Sequence, residues 1–203
     1  MGIKSKRYEN LYSEIDKAKP KTILEIGTHV GKTAVKMVKK AREHREDVFY
    51  YGFDLFEYMT DEYKKYEYHG KSECSYDQAI KNLSNIECPC KLKMGNTVKT
   101  LPKFEPDRPI DFIFIDGGHS IGTIQSDWDN IKRFIHDKTI VIFDDYYENR
   151  DDVGCKKIIE NIDDFMVELL DPLDILEING SDFKDLRIRL AKVGIGWSLR
   201  HGT

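Results

Sequence analysis

The sequence predicts an α/β fold: a Rossmann-like three-layer sandwich with a mostly parallel sheet of seven strands and a C-terminal antiparallel hairpin. Short apolar runs bounded by turn residues alternate with longer amphipathic stretches, which is the pattern of βαβ units. The runs FIFI (112–115) and IVIF (140–143) are continuously apolar, as in parallel strands buried on both faces. The last two runs, 174–178 and 186–192, are separated only by a short polar segment, which permits a hairpin.

The elements follow one another in regular order. An N-terminal helix is predicted at about 8–18, since Pro20 disfavours its continuation. The strands are predicted at 23–26, 48–53, 90–94, 111–115, 139–143, 174–178 and 186–192. The later helices are predicted at 32–46, 76–83, 124–135 and 153–162. Residues 57–74 are rich in tyrosine, lysine and glutamate with weak periodicity, so we expect an insertion or lid directly after the second strand.

The length, composition and net charge of the chain restrict the class of protein. A chain of 203 residues is close to the usual size of one domain, so a single domain over residues 1–203 is expected. Its composition is typical of soluble globular proteins, and no run of about 18 apolar residues predicts a membrane span. The net charge of −4 does not favour nucleic-acid binding. Without a secretion signal, the four cysteines are expected to be reduced and the protein cytoplasmic.

The residues that end the predicted strands are candidate site residues, because ligands of open α/β sheets bind beyond the carboxyl ends of the strands. Gly27 and Gly31 lie in the first strand-to-helix turn, where small residues let a ligand approach backbone N–H groups. Alone, they fit a ligand loop and an ordinary tight turn equally well. Asp54 ends the second strand, about where nucleotide-binding sheets place an acid for ribose hydroxyls. Together the two features favour a nucleotide-type cofactor.

Three acids are predicted to meet at the same edge of the sheet: Asp116 after the fourth strand, and Asp144 and Asp145 after the fifth. Neighbouring carboxylates repel unless a cation neutralises them, and all-oxygen ligation favours Mg²⁺, Mn²⁺ or Ca²⁺ over zinc. In the alternative interpretation, Asp116 hydrogen-bonds the Gly117-Gly118 turn and the other two acids cap the next segment. The metal site, with Mg²⁺, is the interpretation that we favour.

Five segments carry a family resemblance: ILEIGTHVGKT (23–33), GFDLFE (52–57), MGNTVKTLP (94–102), DFIFIDGGHS (111–120) and VIFDDY (141–146). They resemble class I S-adenosylmethionine-dependent methyltransferases of the macrocin-type O-methyltransferase and cephalosporin-hydroxylase-like branch. The resemblance spans about residues 23–161. The cofactor residues that it implies are Glu25, Gly27, Thr28, His29, Gly31, Asp54, Leu55, Gly95, Asn96, Thr97 and Asp116. The commoner family pattern has a glycine where this chain has His29.

The resemblance also implies a carboxylate trio for the metal at Asp116, Asp144 and Asp145. The expected function is metal-dependent O-methylation of a small hydroxylated acceptor such as a sugar or diol. Asp116 and His119 are the candidate catalytic residues; His119 is either the general base, a residue that orients Asp116, or a surface group. Two rival functions stay open: another S-adenosylmethionine-using enzyme, of hydroxylation-pathway or cofactor-cleaving type, and a non-catalytic cofactor-binding module. No nucleic-acid or membrane partner is expected, and a homo-oligomer is left open.

Overall fold

The computed structural model describes residues 5–67, 74–176 and 185–195. The strands of these segments are β1 (Thr22–Ile26), β2 (Phe49–Asp54), β3 (Cys90–Met94), β4 (Phe112–Ile115), β5 (Ile140–Tyr147), β6 (Met166–Leu169), β7 (Asp174–Leu176) and β8 (Leu186–Gly194). The α-helices are α1 (Arg7–Ala18), α2 (Lys32–Arg42), α3 (Asp61–Glu67), α4 (Tyr76–Ser84), α5 (Thr97–Thr100), α6 (Ile121–Ile131) and α7 (Lys156–Ile159). Short 3-10 helices occupy Phe56–Tyr58, Leu101–Lys103 and Lys132–Phe134.

All the strands belong to one open sheet. Their order is β3-β2-β1-β4-β5-β8-β6, and β7 pairs with β8 beside β6. Strands β1 to β5 pair in parallel, whereas β8 is antiparallel to β5, β6 and β7. The predicted fold class, with its mostly parallel sheet and antiparallel C-terminal strands, is therefore confirmed. The turn predicted between the last two strands falls in 177–184, which lies outside the described residues.

The sheet has eight strands rather than the seven expected, because β6 was not predicted. All four residues of β6 are exposed at the edge of the sheet, and their order, Met-Val-Glu-Leu, does not alternate between apolar and polar residues as a half-buried strand would. The fifth strand is also longer than predicted. It continues to Tyr147, and the predicted site residues Asp144 and Asp145 lie inside it rather than after it.

Two apolar layers enclose the sheet. On one face, Leu11 and Ile15 of α1 pack with residues of α2 and α4. On the other face, Trp128 of α6 packs with Ile158 and Ile159 of α7. This arrangement is the three-layer sandwich that the sequence predicts. No helix in the described parts of the chain is long and apolar enough to cross a membrane.

Helix α1 is fixed to the antiparallel end of the sheet by buried charges. The ammonium of Lys192 on β8 lies 2.7 Å from the Glu14 carboxylate, and each residue is only 3% exposed. Lys17 adds a second contact to Glu14 at 2.6 Å, and Glu168 lies 3.3 Å from Lys192. The first turn of α1 is held separately by Asp174 of β7, which accepts a hydrogen bond from the Lys6 N–H at 2.8 Å.

We expect Glu14→Gln to destabilise the fold by about 3 kcal/mol, because it leaves the buried Lys192 ammonium without its shorter ion-pair partner. Urea unfolding at pH 7 measures this loss. The matched control is Glu43→Gln, which removes an exposed carboxylate paired with Lys40 and should change the unfolding free energy by less than about 0.5 kcal/mol. Equal stability of the two variants would contradict the anchoring role of the Glu14 ion pair.

The same ion pair predicts a pH dependence. Burial raises the pKa of Glu14, but hydrogen bonds from Lys17 and Lys192 outweigh burial and hold it below its ordinary value of 4.5. A carboxylate whose pKa is depressed by folding stabilises the protein above the unfolded pKa, and this contribution disappears as the pH falls through the folded pKa. The stability difference between wild type and Glu14→Gln should therefore shrink below about pH 4.5.

Candidate active site

A cleft of about 450 Å³, counting space open to solvent, lies beyond the carboxyl ends of β1 to β4. It is lined by Ile26, Gly27, Phe53, Asp54, Leu55, Tyr63, Glu67, Gly95, Asn96, Thr97, Gly117, Gly118 and Thr123. Six of the predicted cofactor residues belong to this wall: Gly27, Asp54, Leu55, Gly95, Asn96 and Thr97. The others, which are not part of the wall, are Glu25, Thr28, His29, Gly31 and Asp116.

Gly27 lets the loops after β1 and β4 touch. Its φ is +94°, and a Cβ at this position would lie 1.9 Å from the backbone oxygen of Asp116. Its N–H donates to the carbonyl of Phe53 at 2.8 Å, which continues the pairing of β1 with β2 into the loop. The glycine is therefore required by the backbone itself, whatever the cleft binds.

Asp54 holds the first and second loops together. Its Oδ2 accepts a hydrogen bond from the His29 N–H at 2.7 Å, and its Oδ1 accepts one from the Phe56 N–H at 3.0 Å. His29 has a φ of +50°, in the left-handed region that favours glycine, which explains why the commoner family pattern has a glycine at this position. Cys74 Sγ also lies 3.7 Å from Oδ1, so about one of the four lone-pair directions of the Asp54 carboxylate stays open to a ligand in the cleft.

Glu25 supports the loop from beneath. It is fully buried, and its carboxylate accepts a hydrogen bond from the Tyr50 hydroxyl, which also lies 3.1 Å from Thr28 Oγ1. Burial and the nearby Glu25 charge raise the pKa of Tyr50 well above its ordinary value, so the phenol stays protonated and can donate. In the structure, Glu25 and Thr28 thus contact Tyr50 below the cleft.

Helix α3 contributes two wall residues, Tyr63 and Glu67. From the sequence, the run 62–67 is expected to be a solvated face, with its tyrosines as possible lining of an acceptor pocket, and Glu67 is not indicated. Asn96 donates to the Tyr63 hydroxyl at 2.9 Å, so α3 contacts the loop after β3. The Glu67 carboxylate accepts hydrogen bonds from the Ser120 N–H at 2.9 Å and from the Thr123 hydroxyl at 2.8 Å. The helix therefore lies between two strand-end loops. The signal available in the sequence was the four-residue spacing of Tyr63 and Glu67, which puts both on one helical face.

The carboxylates of Asp116 and Asp144 meet around the first turn of α1. The Tyr8 hydroxyl lies 2.8 Å from Asp116 Oδ2 and 2.9 Å from Asp144 Oδ2. The Arg7 guanidinium binds Asp144 with both arms of its fork, Nε to Oδ1 at 2.7 Å and Nη2 to Oδ2 at 3.0 Å. We call Asp116 and Asp144 the acidic pair.

The charges around the acidic pair shift the pKa values of both α1 residues. Burial lowers the pKa of Arg7, but the Asp144 carboxylate outweighs burial and raises it above its ordinary value. Burial, with Asp144 and Asp116 adding to it, raises the pKa of Tyr8 well above its ordinary value. Arg7 is therefore a permanent cation, and Tyr8 a protonated hydrogen-bond donor.

Asp145 is engaged elsewhere, with His119. The two side chains are each 6% exposed, and His119 Nε2 lies 3.1 Å from Asp145 Oδ2. The other oxygen, Oδ1, accepts a hydrogen bond from the Tyr147 hydroxyl at 2.9 Å. Asp145 lies at a register shift of β5 with a φ of +60°, so this strand does not present its two acids to the same partners.

The predicted trio of Asp116, Asp144 and Asp145 is not brought together as a metal site. The described residues contain no group of three or more histidine, cysteine, aspartate or glutamate side chains that could hold a metal ion. The reason is local: Arg7 and Tyr8 occupy Asp144, while His119 and Tyr147 occupy Asp145. The site residues that the sequence missed here are Arg7 and Tyr8.

Comparisons with known proteins identify the family and the fold of the chain. A family model described as a methyltransferase domain matches residues 24–146, more than half of the chain. A comparison with curated protein sequences finds no match. Among solved structures, the chain is similar to the O-methyltransferase TomG of Streptomyces achromogenes, involved in tomaymycin synthesis and solved in complex with SAM. The identity is 12%, the TM-score is 0.67, and the match covers 96% of this chain and 82% of that chain.

Two further structures show the same fold. The O-methyltransferase of Bacillus cereus, in complex with SAH, is 15% identical with a TM-score of 0.65 over 95% of this chain and 82% of that chain. An rRNA methylase of Streptococcus thermophilus is 10% identical with a TM-score of 0.61 over 96% of this chain and 99% of that chain. At these identities the likeness shows the fold.

The contact of Gly27 with Asp116 predicts that Gly27→Ala destabilises the protein by about 3 kcal/mol or more, because both the positive φ and the space forbid a side chain. The matched control is Gly122→Ala in α6, where a Cβ meets nothing within 4 Å. This variant should gain up to about 1 kcal/mol from helix propensity. Thermal unfolding compares the two. A Gly27→Ala protein as stable as wild type would show that the two loops do not need this contact.

Proposed function

The chain belongs to the methyltransferase-domain family, and on this premise we propose that it transfers a methyl group from S-adenosylmethionine to a hydroxyl oxygen of a small acceptor such as a sugar or diol. The observation that carries the proposal is the buried contact of His119 with Asp145, because His119 directly follows the cleft residues Gly117 and Gly118 in the chain. Two structurally similar O-methyltransferases, with SAM and SAH bound, support the choice of cofactor and of an oxygen acceptor.

The residues of the cleft fit the cofactor. Asp54 offers a carboxylate oxygen to a ribose hydroxyl, and the apolar side chains of Ile26, Phe53 and Leu55 can flank the rings of the cofactor. The glycines of the wall carry no side chain that would block the close approach of a ligand. When bound, S-adenosylmethionine supplies an electrophilic methyl group. Most of the rate enhancement then comes from orienting the acceptor oxygen toward that group.

His119 is the proton acceptor in this proposal. An imidazole that donates its Nε2–H to a carboxylate carries its other nitrogen, Nδ1, in the basic form, and Asp145 lies where it can receive that hydrogen bond. Asp145 also stabilises the imidazolium that forms when the acceptor hydroxyl loses its proton. Asp116 shares the Tyr8 hydroxyl with Asp144 and is a positioning residue here.

The metal-dependent form predicted from the sequence is not included in this proposal. Arg7 and Tyr8 occupy the oxygens of Asp144, and His119 and Tyr147 occupy those of Asp145. No step is therefore assigned to a cation.

Asp54→Asn should weaken S-adenosylhomocysteine binding by about ten- to one-hundredfold, because a hydrogen bond to a charged group contributes about 1.5–3 kcal/mol. Isothermal titration calorimetry measures this. The matched control is Asp47→Asn, an exposed acid before β2 and thus at the opposite end of that strand, which should bind as wild type does. Wild-type protein that fails to bind the ligand at high micromolar concentration would overturn the choice of cofactor.

His119→Gln should lower turnover by about 10²- to 10⁴-fold while leaving S-adenosylhomocysteine affinity unchanged, because the variant loses only the proton acceptor. Turnover is measured by product mass over a panel of hydroxylated acceptors, where methylation adds one methyl group. In wild type the rate should fall on acidification, since a protonated imidazole accepts no proton. Cofactor cleavage without a methylated product, or binding without turnover, would point to the two rival functions instead.

A further inference from the structure

The first turn of α1 occupies the position where the sequence places a metal ion. We propose that the Arg7 guanidinium is the resident cation of the acidic pair, and that the pair of Asp116 and Asp144 binds no divalent cation. This inference is independent of the proposed function: it concerns cation binding by the acidic pair, which can be measured without the acceptor or the cofactor. Helix α1 then has a role in the site, through Arg7 and Tyr8, as well as in the packing of the fold.

The oxygens of Asp144 are already engaged by donors of the protein. Its Oδ1 receives Arg7 Nε at 2.7 Å and the Asp145 N–H at 2.8 Å. Its Oδ2 receives Arg7 Nη2 at 3.0 Å and lies 2.9 Å from the Tyr8 hydroxyl. A carboxylate has about four lone-pair directions; three N–H donors fill three of them, and the Tyr8 hydroxyl, whose single proton is shared between Asp144 and Asp116, lies against the fourth. A metal ion could bind Asp144 only by displacing Arg7 or Tyr8.

Arg7 is held in place from its other side as well. Its Nη1 donates to Asp174 Oδ2 at 3.0 Å and to Ser5 Oγ at 3.0 Å. The guanidinium carbon also lies 4.9 Å from the centre of the Tyr8 ring, within cation–π distance. The Arg7 side chain is 12% exposed and its guanidinium has partners on both sides, so this is a largely covered, oriented cation rather than a mobile surface arginine.

Electrostatic repulsion and coordination geometry also disfavour a divalent ion at Asp144. A divalent ion on Asp144 would lie beside a guanidinium that is always charged, and the two cations would repel. Mg²⁺ also requires near-octahedral ligands at about 2.0–2.1 Å, whereas the planar fork of arginine matches a carboxylate directly. Asp145, the third predicted ligand, already has both oxygens engaged by Tyr147 and His119.

Mn²⁺ binding to metal-stripped protein tests the proposal, with electron paramagnetic resonance of free Mn²⁺ as the readout. In wild type, any Mn²⁺ binding that depends on Asp144 should have a dissociation constant above about 1 mM. Arg7→Gln should gain at least about tenfold in Mn²⁺ affinity, and adding Asp144→Asn should remove the gain. The matched control is Lys6→Gln, which removes the neighbouring exposed positive charge and should behave as wild type.

Each outcome decides the matter. Mn²⁺ binding by wild type that Asp144→Asn abolishes would overturn the proposal, as would a folded Arg7→Gln protein that gains no affinity. Binding that survives in Asp144→Asn lies elsewhere and leaves the acidic pair metal-free. If circular dichroism shows that Arg7→Gln is unfolded, the comparison of wild type with Asp144→Asn decides alone. S-adenosylhomocysteine titration of the same samples separates a failure here from a failure of the proposed function.

Discussion

The contact between Gly27 and the backbone of Asp116 is the constraint on which the rest of the site depends. Because no side chain separates the loops after β1 and β4, both can lie over the same edge of the sheet. Gly117 continues the contact, since a Cβ there would lie 2.9 Å from a methyl carbon of Ile26. Asp54 then reaches the first loop through the His29 N–H, and three strand ends form one continuous wall.

The acids at this edge of the sheet contact two separate groups of residues. Asp144 and Asp116 contact α1, while Asp145 contacts His119 and Tyr147. Buried carboxylates are costly unless they are paired and hydrogen-bonded, and the two buried ones, Asp144 and Asp145, have such partners within the protein. The irregularity in β5 at Asp145 makes this division possible, because a regular continuation of the ladder would keep both residues in register with β8.

Much of this architecture could be predicted from the sequence, because β4 and the start of β5 are continuous apolar runs and the first four strands end at or just before a glycine or an aspartate. Six of the eleven cofactor residues line the cleft for the same reason. The short α7 could not be foreseen: the Cys155 N–H bonds to the carbonyl of Asp145, and Gly154 has a φ of +80°. These contacts hold the segment before Lys156 against β5, although its periodicity predicts a helix from 153.

The contacts of Asp144 with α1 could not be predicted from the sequence for a different reason. Arg7 and Asp144 are 137 residues apart, and no local pattern marks an arginine in a helical first turn as the partner of a distant acid. The same holds for the buried position of Glu25, which depends on a tyrosine 25 residues later in the next strand. Both are tertiary contacts, which override what composition and spacing can express.

The attachment of α1 also bears on how the molecule is assembled during synthesis. Helix α1 leaves the ribosome before the sheet, yet its Arg7 contacts lie 137 and 167 residues further along the chain. Such distant contacts are slow to form, because the intervening loop must close before they contribute any stability. The central parallel strands can therefore associate while α1 is still undocked. The acidic pair can receive its guanidinium only after β5 and β7 have been synthesised, so completion of this part of the site depends on the last third of the chain.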